Sequence, residues 1–327
     1  MNNTPFFSIL IPVYKNVEYL KECVSSVLDQ YFDDFEIILC FQGETTPQVP
    51  IPDDRIHVLY LEKPSLYLAR IESFKKAKGQ YVWFVDSDDS LMPGALFSLH
   101  ALILQTHFSD VYQFGYTNSK SGGSSQYTNK FLEQNKADYL EYFLTGLGTY
   151  PIWRKCFKKK NVSFYDEDIF MGEDGLLSLA FIEQSKTVVV SHNKYYFYRP
   201  NPKSGTANLK PKYLDDLCIF LLHTIKYRRK KAELAALIYT FLTSYLTFSC
   251  SLPIDALLGQ NNVRKMANII MKMPYRTRPS IIKKTFEKCV LNKNGESCKF
   301  GLLTLRIMKK FNFHFKVRIS ADWEDLL

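Results

Sequence analysis

The stretch Gln80-Tyr81-Val82-Trp83-Phe84-Val85-Asp86-Ser87-Asp88-Asp89-Ser90 places three carboxylates directly after a run of β-branched and aromatic residues. Such a run, with a helix-like segment on each side, predicts a buried parallel strand. The acids then lie at the carboxyl end of a strand, where open α/β sheets hold ligands. Clustered carboxylates repel one another unless a cation lies among them, and oxygen ligands favour Mg²⁺ or Mn²⁺. The alternative to a metal site is that these residues only form a turn and cap the next helix, which begins near Pro93.

The segments before this strand alternate between strand and helix patterns. Runs rich in β-forming residues occur at 6–13, 36–41 and 56–61, and a helical pattern follows the first of them with Asn16 as its candidate N-cap. A second helix is expected from Pro64 to Gly79, because proline favours the start of a helix and glycine its end. This alternation predicts the α/β class, with a parallel sheet flanked by helices.

Two domains are expected from the pattern that follows the acidic strand. A helix near 94–105 and a strand at 111–116 continue the α/β pattern, which stops at about residue 210. We therefore expect an α/β domain over residues 1–210 and an all-helical C-terminal region over residues 211–327. The uncharged segment Leu234–Ile254 carries hydroxyl groups at helical spacing, which favours a buried helix over a transmembrane span.

Charge is distributed unevenly along the 327 residues, whose formal net charge is +9. Residues 211–327 hold 21 Lys and Arg against 9 Asp and Glu. Cations mixed with aromatic residues around Lys309–Arg318 favour docking on an anionic membrane surface. No nucleic-acid partner is expected, because no fold signature of such proteins accompanies the charge. A solvated basic face is the alternative interpretation, and the C-terminal helices are also candidates for contact with another chain.

The cysteines and the N-terminus indicate the compartment. Seven cysteines form an odd set without a C-x-x-C pair, which is typical of a reducing environment. The run from Pro5 to Tyr14 lacks a preceding basic region and predicts a strand, not a signal peptide. We expect a cytoplasmic protein, with the inner face of the cytoplasmic membrane as the candidate place of contact.

A second acidic cluster, Gly172-Glu173-Asp174-Gly175, lies immediately before an apolar segment. One interpretation is structural, since an acid at the start of a helix caps free N–H groups and suits the helix dipole. The other is catalytic, since a carboxylate on a glycine-flanked loop can act as a general base toward a reacting hydroxyl.

Three segments in this order and spacing resemble the signatures of family-2 glycosyltransferases with the GT-A fold: Ser8–Asn16, Asp86–Asp89 and Gly172–Asp174. Trp153–Lys155 and Tyr195–Ser204 are similar to later blocks of capsule and lipopolysaccharide members. The resemblance implies a Rossmann-like, mostly parallel sheet. It also implies an inverting, metal-dependent transfer of a sugar from a nucleoside-diphosphate sugar to a hydroxyl of a glycan or polyprenyl-linked acceptor in surface polysaccharide biosynthesis.

The resemblance also implies individual roles. Asp88 coordinates Mn²⁺ or Mg²⁺ bridging the donor's diphosphate, and Asp86 approaches the ribose or the metal. Asp174 is the base that takes the acceptor proton, and Glu173 orients the acceptor. The remaining nucleotide-binding positions in this interpretation are Pro12, Val13, Tyr14 and Ser87.

Two departures from the family pattern concern the nucleotide. Phe41 and Gln42 replace paired aspartates, one of which contacts the base in many members. In our interpretation the Gln42 amide pairs with a pyrimidine edge and Phe41 stacks on it, so a uridine nucleotide is the first expectation. Around Arg70 the usual glycine-rich piece is absent. Arg70 then either reaches a phosphate or orders the aspartates, or it forms a surface ion pair near Glu72.

A loop after the aromatic strand completes the expected site. Arg199 and Ser204 are assigned to the acceptor or the diphosphate, because they follow the aromatic strand at the position where family members close a flexible loop over the donor. Trp153 is assigned to the same group. A solvated loop is the alternative. Two other functions remain open at this point, a non-catalytic sugar-nucleotide-binding or assembly protein and a phosphatase with an aspartate nucleophile.

Overall fold

The computed structural model describes residues 4–15, 17–43, 46–119, 127–128, 130–144, 150–200, 209–227 and 259–272, together with single positions between 237 and 257. Within this part of the chain nine strands form one sheet: β1 (Phe7–Val13), β2 (Phe35–Gln42), β3 (Ile56–Leu61), β4 (Tyr81–Phe84), β5 (Ser90–Leu91), β6 (Val111–Thr117), β7 (Phe131–Asn135), β8 (Lys155–Lys158) and β9 (Thr187–Phe197). Their order is β3-β2-β1-β4-β8-β6-β9-β5, and β7 also pairs with β9.

The strand directions bring several carboxyl ends to one edge of the sheet. Strands β3, β2, β1 and β4 are parallel neighbours. Strand β8 runs antiparallel to both β4 and β6, so β6 regains the direction of β4, and β9 is parallel to β6. The predicted α/β class is confirmed. The sheet is parallel from β3 to β4 and mixed beyond, because the short strands β5, β7 and β8 pair antiparallel.

The helices described are α1 (Leu20–Leu28), α2 (Leu66–Lys76), α3 (Ala95–Gln105), α4 (Lys136–Leu144), α5 (Glu173–Glu183), α6 (Pro211–Ile225) and α7 (Asn261–Lys272), and a short 3₁₀ helix (Ile152–Arg154) precedes β8. Helix α2 lies within the predicted range from Pro64 to Gly79, but its N-cap is Ser65 and its C-cap is Ala77. The Ser65 side chain accepts a hydrogen bond from the Leu68 N–H at 3.1 Å. Such a cap contributes about 1 kcal/mol. In α1 the N-cap residue is Tyr19, and the predicted cap Asn16 lies outside the described residues.

The amino ends of the central strands are held together around Gly79. A Cβ atom at this position would lie 2.6 Å from the backbone nitrogen of Ser8, so only glycine fits there. The Gly79 N–H donates to Ser8 Oγ at 2.8 Å, and Ser8 Oγ donates to the buried Glu36 carboxylate at 2.6 Å. This network fixes how β1, β2 and β4 lie side by side, and therefore where their opposite, carboxyl ends stand.

The core lies on both faces of the sheet. On one face, buried residues of β1 and β2 pack with those of α1 and α3 in one cluster that includes Ile11, Val24 and Leu99. Helix α2 packs against β1 and β2, and its Phe74 contacts Phe181 of α5 with ring centroids 5.2 Å apart. The packing of α2 fixes the position from which its side chains reach the carboxyl edge.

The chain divides into two compact units. The first comprises residues 1–208 with 219–228, and the second comprises residues 209–218 with 229–327. The division assigns residues 219–228 to the first unit, whereas a boundary at residue 210 assigns them to the helical region.

A helix that spans a membrane must be long and predominantly apolar. None of the helices that the structure describes combines the length and the apolar character that crossing a bilayer requires. Most of Leu234–Ile254 and all of the basic segment Lys309–Arg318 lie outside the described residues.

Candidate active site

The acids that follow β4 form a tight turn at the carboxyl edge, called here the acid loop (Asp86–Asp89). The Asp89 N–H donates to the Asp86 carbonyl at 3.0 Å, and the Asp86 N–H donates to the Tyr196 hydroxyl of β9 at 3.1 Å. The residue at the N-cap of α3 is Gly94, which has no side-chain cap. The alternative prediction that these acids cap the next helix is therefore wrong.

Asp89 is buried and holds the loop against β9. Its carboxylate accepts hydrogen bonds from the Tyr196 hydroxyl and from the Arg199 backbone N–H, each at 2.7 Å. Asp88 and Ser87 are half-buried, so they keep some surface open to a ligand. The three acids of the sequence motif thus divide into one structural carboxylate and two that face the site.

Arg70 joins the acid loop to the second acidic cluster. It extends from α2, only 1% of its surface is exposed, and its Nη2 lies 2.8 Å from Asp86 Oδ1. Its Nη1 donates to the Asp174 carboxylate and lies 3.3 Å from Glu173 Oε1. Arg70 therefore orders the acids, and the alternative of a surface ion pair near Glu72 is wrong, because Glu72 pairs with Lys75 instead.

Glu173 and Asp174 form the first turn of α5 after Gly172, whose φ of 90° is readily adopted by glycine. The N-cap residue is Gly172 itself and carries no side-chain cap, so neither acid caps the helix in that sense. Their negative charge suits the helix N-terminus. The tight glycine turn aims both carboxylates at Arg70.

The electrostatics of the site favour a further cation. Burial raises the pKa of Asp86 to about 6, even though Arg70 opposes this shift. Burial, and then the charge of Asp174, raise the pKa of Glu173 to about 8. Burial alone would lower the pKa of Arg70, but Asp174, Asp86 and Glu173 raise it above its ordinary value. Arg70 thus binds three carboxyl groups, of which Glu173 is protonated at neutral pH, and another cation would offset the remaining negative charge of the acid loop.

A divalent metal fits the donor set at the acid loop, on condition that the ligand supplies part of its coordination. Among the residues that the structure describes, no group of three or more His, Cys, Asp or Glu side chains is arranged to hold a metal. Mg²⁺ is often bound by one or two carboxylates together with substrate phosphates. Asp88, with the Asp86 oxygen that Arg70 leaves unbound, offers such a pair.

Arg199 lies beneath the acid loop. Its Nε donates to the Asp88 carbonyl at 2.7 Å, its Nη2 lies 2.8 Å from Glu22 Oε2, and its guanidinium covers the Tyr19 ring at 4.2 Å. These contacts position the loop, and the role assigned to Arg199 toward a diphosphate stays a prediction. Ser204, the other residue of that loop, lies outside the described residues.

The residues assigned to the nucleotide lie at the carboxyl ends of β1 and β2. Pro12 and Val13 are buried, whereas Tyr14 is exposed and has the Lys15 ammonium 5.2 Å from its ring centroid. Tyr14 is thus the member of this trio that can offer a surface to a base. The stacking role given to Phe41 is wrong, because Phe41 is fully buried in the core.

Gln42 supports the start of α2 in this structure. Its Oε1 accepts a hydrogen bond from the Ser65 N–H at 3.0 Å, and its side chain is buried. Contact between its Nε2 and a nucleotide base would require an opening of this region. Recognition of the base by Gln42 stays a prediction.

Tyr196 is a residue of the candidate site to which the sequence motifs assign no role, although it lies in the block Tyr195–Ser204. It binds both ends of the acid loop, and Trp153 stacks on it with ring centroids 4.6 Å apart. The aromatic run at 195–198 was visible in the sequence. The sequence does not show which side chains of this run face the acids, because that depends on the pairing of β9 with β5 and β6.

Comparison with known proteins identifies the family. Residues 8–178 match the model of glycosyl transferase family 2, a range that contains both acidic clusters and Arg70. The chain belongs to glycosyl transferase family 2. Membership in this family overturns the phosphatase alternative, and it agrees with an Asp86 that is bound by Arg70.

Relatives of this family-2 glycosyltransferase include EpsJ of Bacillus subtilis, an uncharacterized glycosyltransferase that is 30% identical over 62% of this chain and 63% of EpsJ. The poly(ribitol-phosphate) β-N-acetylglucosaminyltransferase TarS of Staphylococcus aureus is 23% identical over 74% of this chain and 44% of TarS. The chain thus matches less than two thirds of the length of either relative.

A solved structure of S. aureus TarS residues 1–349 with UDP-GlcNAc is similar in fold. Its TM-score is 0.66 at 19% sequence identity, covering 92% of each chain. At this level of identity the likeness shows the fold alone. The predicted GT-A fold of this family-2 glycosyltransferase is confirmed.

Proposed function

We propose that this chain is an inverting, metal-dependent glycosyltransferase that moves a sugar from a nucleoside-diphosphate sugar to a hydroxyl group of a glycan or lipid-linked acceptor. The observation that carries the proposal is the set of contacts made by Arg70. It binds Asp86 of the acid loop together with Glu173 and Asp174 of α5. This arrangement supports a single site in which the acid loop would hold the leaving diphosphate and the acids of α5 would take a proton.

Asp174 is the general base in this proposal. The acceptor hydroxyl loses its proton to the Asp174 carboxylate as its oxygen bonds to the anomeric carbon. The bond from that carbon to the diphosphate breaks, and the nucleoside diphosphate leaves with the electron pair. A single displacement of this kind inverts the configuration, and Arg70 holds Asp174 in a fixed orientation toward the acceptor.

Glu173 is less suited to be the base. Burial, and then the charge of Asp174, raise its pKa to about 8, so it carries a proton at neutral pH. A protonated carboxyl donates a hydrogen bond instead of accepting a proton. This property supports the role of Glu173 in orienting the acceptor oxygen.

Asp88 and Asp86 would hold Mn²⁺ or Mg²⁺ beside the donor's diphosphate. When bound, such an ion neutralises the charge that develops on the leaving group. Arg199 fixes the Asp88 carbonyl and Tyr196 fixes the Asp86 N–H, so the loop that carries both carboxylates is held at each end.

The relatives support the choice of first substrates. Solved TarS structures contain UDP-GlcNAc and UDP, which supports UDP as the first nucleotide to test. TarS is named for poly(ribitol phosphate), and this supports a surface polymer as the acceptor class. An acceptor that is attached to lipid would suit the proposed docking of the basic C-terminal region on an anionic membrane at its inner face.

Calorimetry with UDP and Mn²⁺ tests the donor half of the proposal. The unmodified chain should bind UDP in a Mn²⁺-dependent manner, and Asp88→Asn should weaken binding at least about tenfold, or about 1.4 kcal/mol. Asp54→Asn, in an exposed loop before β3, is the matched control and should bind normally. Undiminished binding in Asp88→Asn contradicts the metal assignment.

Transfer assays test the base. Asp174→Asn should still bind UDP with Mn²⁺ but should lose about two or more orders of magnitude in sugar turnover from a panel of UDP-sugars. Substantial turnover by this variant rules out Asp174 as the base. Binding without turnover by the unmodified chain, across nucleotide sugars and acceptors, would favour a non-catalytic binding protein.

A further inference from the structure

A stack of aromatic side chains leads from the acid loop to the protein surface. The Trp153 ring lies nearly parallel to Tyr196, with centroids 4.6 Å apart, and to Tyr198, with centroids 5.3 Å apart. Tyr116 stands edge-on to Trp153 and to Tyr198, at 5.2 and 6.2 Å. Tyr116 and Tyr198 thus meet at nearly a right angle and are called here the aromatic corner.

The aromatic corner is part of the same edge of the sheet as the acid loop. Strands β6 and β9 run in the direction of β4, so Tyr116 near the end of β6 and Tyr198 just after β9 lie at the carboxyl edge. The Tyr198 N–H donates to the Thr117 carbonyl at 2.8 Å, which ties the two strand ends together. Burial, and then the charges of Asp89, Asp88 and Asp86, raise the pKa of Tyr198, so the acids are within electrostatic reach of its hydroxyl.

The two rings of the aromatic corner are supported by buried side chains but remain partly exposed to solvent. Trp153 is 7% exposed and supports the rings from below, while Tyr116 is 41% and Tyr198 is 38% exposed. The Arg154 guanidinium lies 5.2 Å from the Tyr116 ring centroid and its Nε donates to the Phe114 carbonyl at 3.2 Å. Two exposed rings are therefore held rigidly beside the proposed site of transfer.

The chemistry of these rings favours a neutral carbohydrate. The face of an aromatic ring is negative and attracts the polarised C–H bonds on the face of a sugar ring. Sites for small ligands commonly combine such apolar surfaces with a few placed polar groups. The carboxylates of the acid loop accept hydrogen bonds from sugar hydroxyls and repel an anionic ligand on their side of the corner, while the Arg154 guanidinium lies over the Tyr116 ring.

We propose that Tyr116 and Tyr198 form a carbohydrate subsite, in which the acceptor's sugar ring stacks on the aromatic corner and presents its hydroxyl to the acid loop and Asp174. This inference rests on the proposed function, because it places the acceptor of that reaction. It assigns the acceptor as a neutral sugar at the point of attack, and it separates the acceptor subsite from the nucleotide at β1 and β2.

Saturation-transfer NMR with neutral disaccharides tests the subsite directly. The probes are chitobiose, maltose and lactose, with ribitol 5-phosphate as the anionic comparison. At least one disaccharide should receive saturation on its ring C–H protons from the unmodified chain. Tyr198→Ala should weaken that binding roughly fivefold, and Tyr198→Phe, which keeps the ring, should retain it.

Tyr31→Ala supplies the matched control, because Tyr31 is the most exposed of the large hydrophobic side chains described, at 81%, and lies in the loop after α1. It should leave the sugar signal unchanged, and the unfolding midpoint of each variant should confirm that it is folded. If Tyr198→Ala and Tyr116→Ala both bind like the unmodified chain, the subsite is refuted. Stronger binding of ribitol 5-phosphate than of every disaccharide, or no disaccharide binding up to about 50 mM, also overturns it.

Calorimetry of UDP with Mn²⁺ on the unmodified chain separates this inference from the proposed function. Intact UDP binding with a failed sugar test counts against the subsite alone. Failed UDP binding with a ring-dependent sugar signal counts against the donor assignment and leaves the subsite standing.

Discussion

Arg70 forms ion pairs with three carboxyl groups of the site. It is buried, and its two terminal nitrogens bind carboxylates from α5 and from the acid loop. Removing one partner from a buried ion network leaves uncompensated charge, which commonly costs 3–5 kcal/mol. The stability of the first unit and the assembly of the site therefore depend on the same side chain.

Arg70→Met should lower the free energy of unfolding by about 3 kcal/mol or more at neutral pH, because the carboxylates of Asp86 and Asp174 would lose their buried counter-ion. Urea unfolding measures this. The matched control is Arg55→Met, which removes a partly exposed arginine that pairs with Asp53 at 2.8 Å, and it should cost clearly less, about 1 kcal/mol. Equal losses in the two variants would contradict the structural role given to Arg70.

Asp89 makes stability depend on pH. Burial, and then the charge of Asp86, raise its pKa from an ordinary 3.8 to about 8, although the Arg199 N–H and the Tyr196 hydroxyl oppose the shift. Between these values the folded chain holds a proton that the unfolded chain has released. Stability contributed by this group is therefore present at low pH and is lost as pH rises toward 8.

Asp89→Asn should flatten the fall in stability between pH 5 and pH 8, because the amide imitates the protonated carboxyl without titrating. The slope should decrease by up to about 1.4 kcal/mol per pH unit, which corresponds to one proton. Urea unfolding at several pH values gives both slopes, with Asp54→Asn as an exposed control. An unchanged slope in Asp89→Asn would show that this carboxyl is ionised throughout.

The sequence predicts which residues form the two acidic clusters, but it does not predict the contacts of Arg70 or the burial of Phe41 and Gln42. The sequence predicts a functional role for the acids of both clusters, because neighbouring carboxylates repel one another unless a cation or a ligand lies among them. The sequence does not determine the partners of Arg70, because Asp86 lies 16 positions from it and Glu173 and Asp174 lie 103 and 104 positions from it, and the three acids converge on it only after folding. Phe41 and Gln42 were assigned to the base, yet both are buried, since β2 is covered along its whole length.

At the scale of elements, the predicted strands are those with strong local signals. β1 and β2 are buried at every position, which produces the continuous apolar runs that were recognised. Strand β8 was not recognised as a strand, because it is four residues long and contains two lysines, of which Lys155 is fully buried. Its insertion between β4 and β6 reverses direction twice, and only the assembled sheet shows that β6 ends beside the acid loop.

The site itself is assembled from three elements with different tasks. Helix α2 supplies Arg70 and is positioned by its Ser65 cap, which also donates to Asp168 at 2.6 Å in the segment before α5. The acid loop supplies Asp86 and Asp88, and α5 supplies Glu173 and Asp174. One serine thus ties the helix that carries the arginine to the segment that leads to the proposed base.

At the scale of the whole molecule, residues 219–228 determine where the first compact unit ends. They group with residues 1–208, although they follow the predicted boundary at 210. Phe220 and Leu221 are buried, and the Phe220 ring lies 4.9 Å from that of Tyr150. A Cβ on Gly175 of α5 would lie 2.7 Å from the Phe220 ring, so this contact reaches the helix that carries Asp174.

A chain that ends at residue 228 should therefore be more stable than one that ends at residue 210. Burial of a phenylalanine and a leucine side chain contributes roughly 1.5–3 kcal/mol each, so the shorter chain should lose at least about 3 kcal/mol or fail to fold. Urea unfolding and limited proteolysis of the two truncated chains compare them directly. Phe220→Ala in the full chain should cost about 3 kcal/mol for the same reason, and it provides a value if the shorter chain does not fold. If the two truncated chains unfold at the same urea concentration and Phe220→Ala is neutral, the α/β unit ends at residue 210 as the sequence pattern predicts.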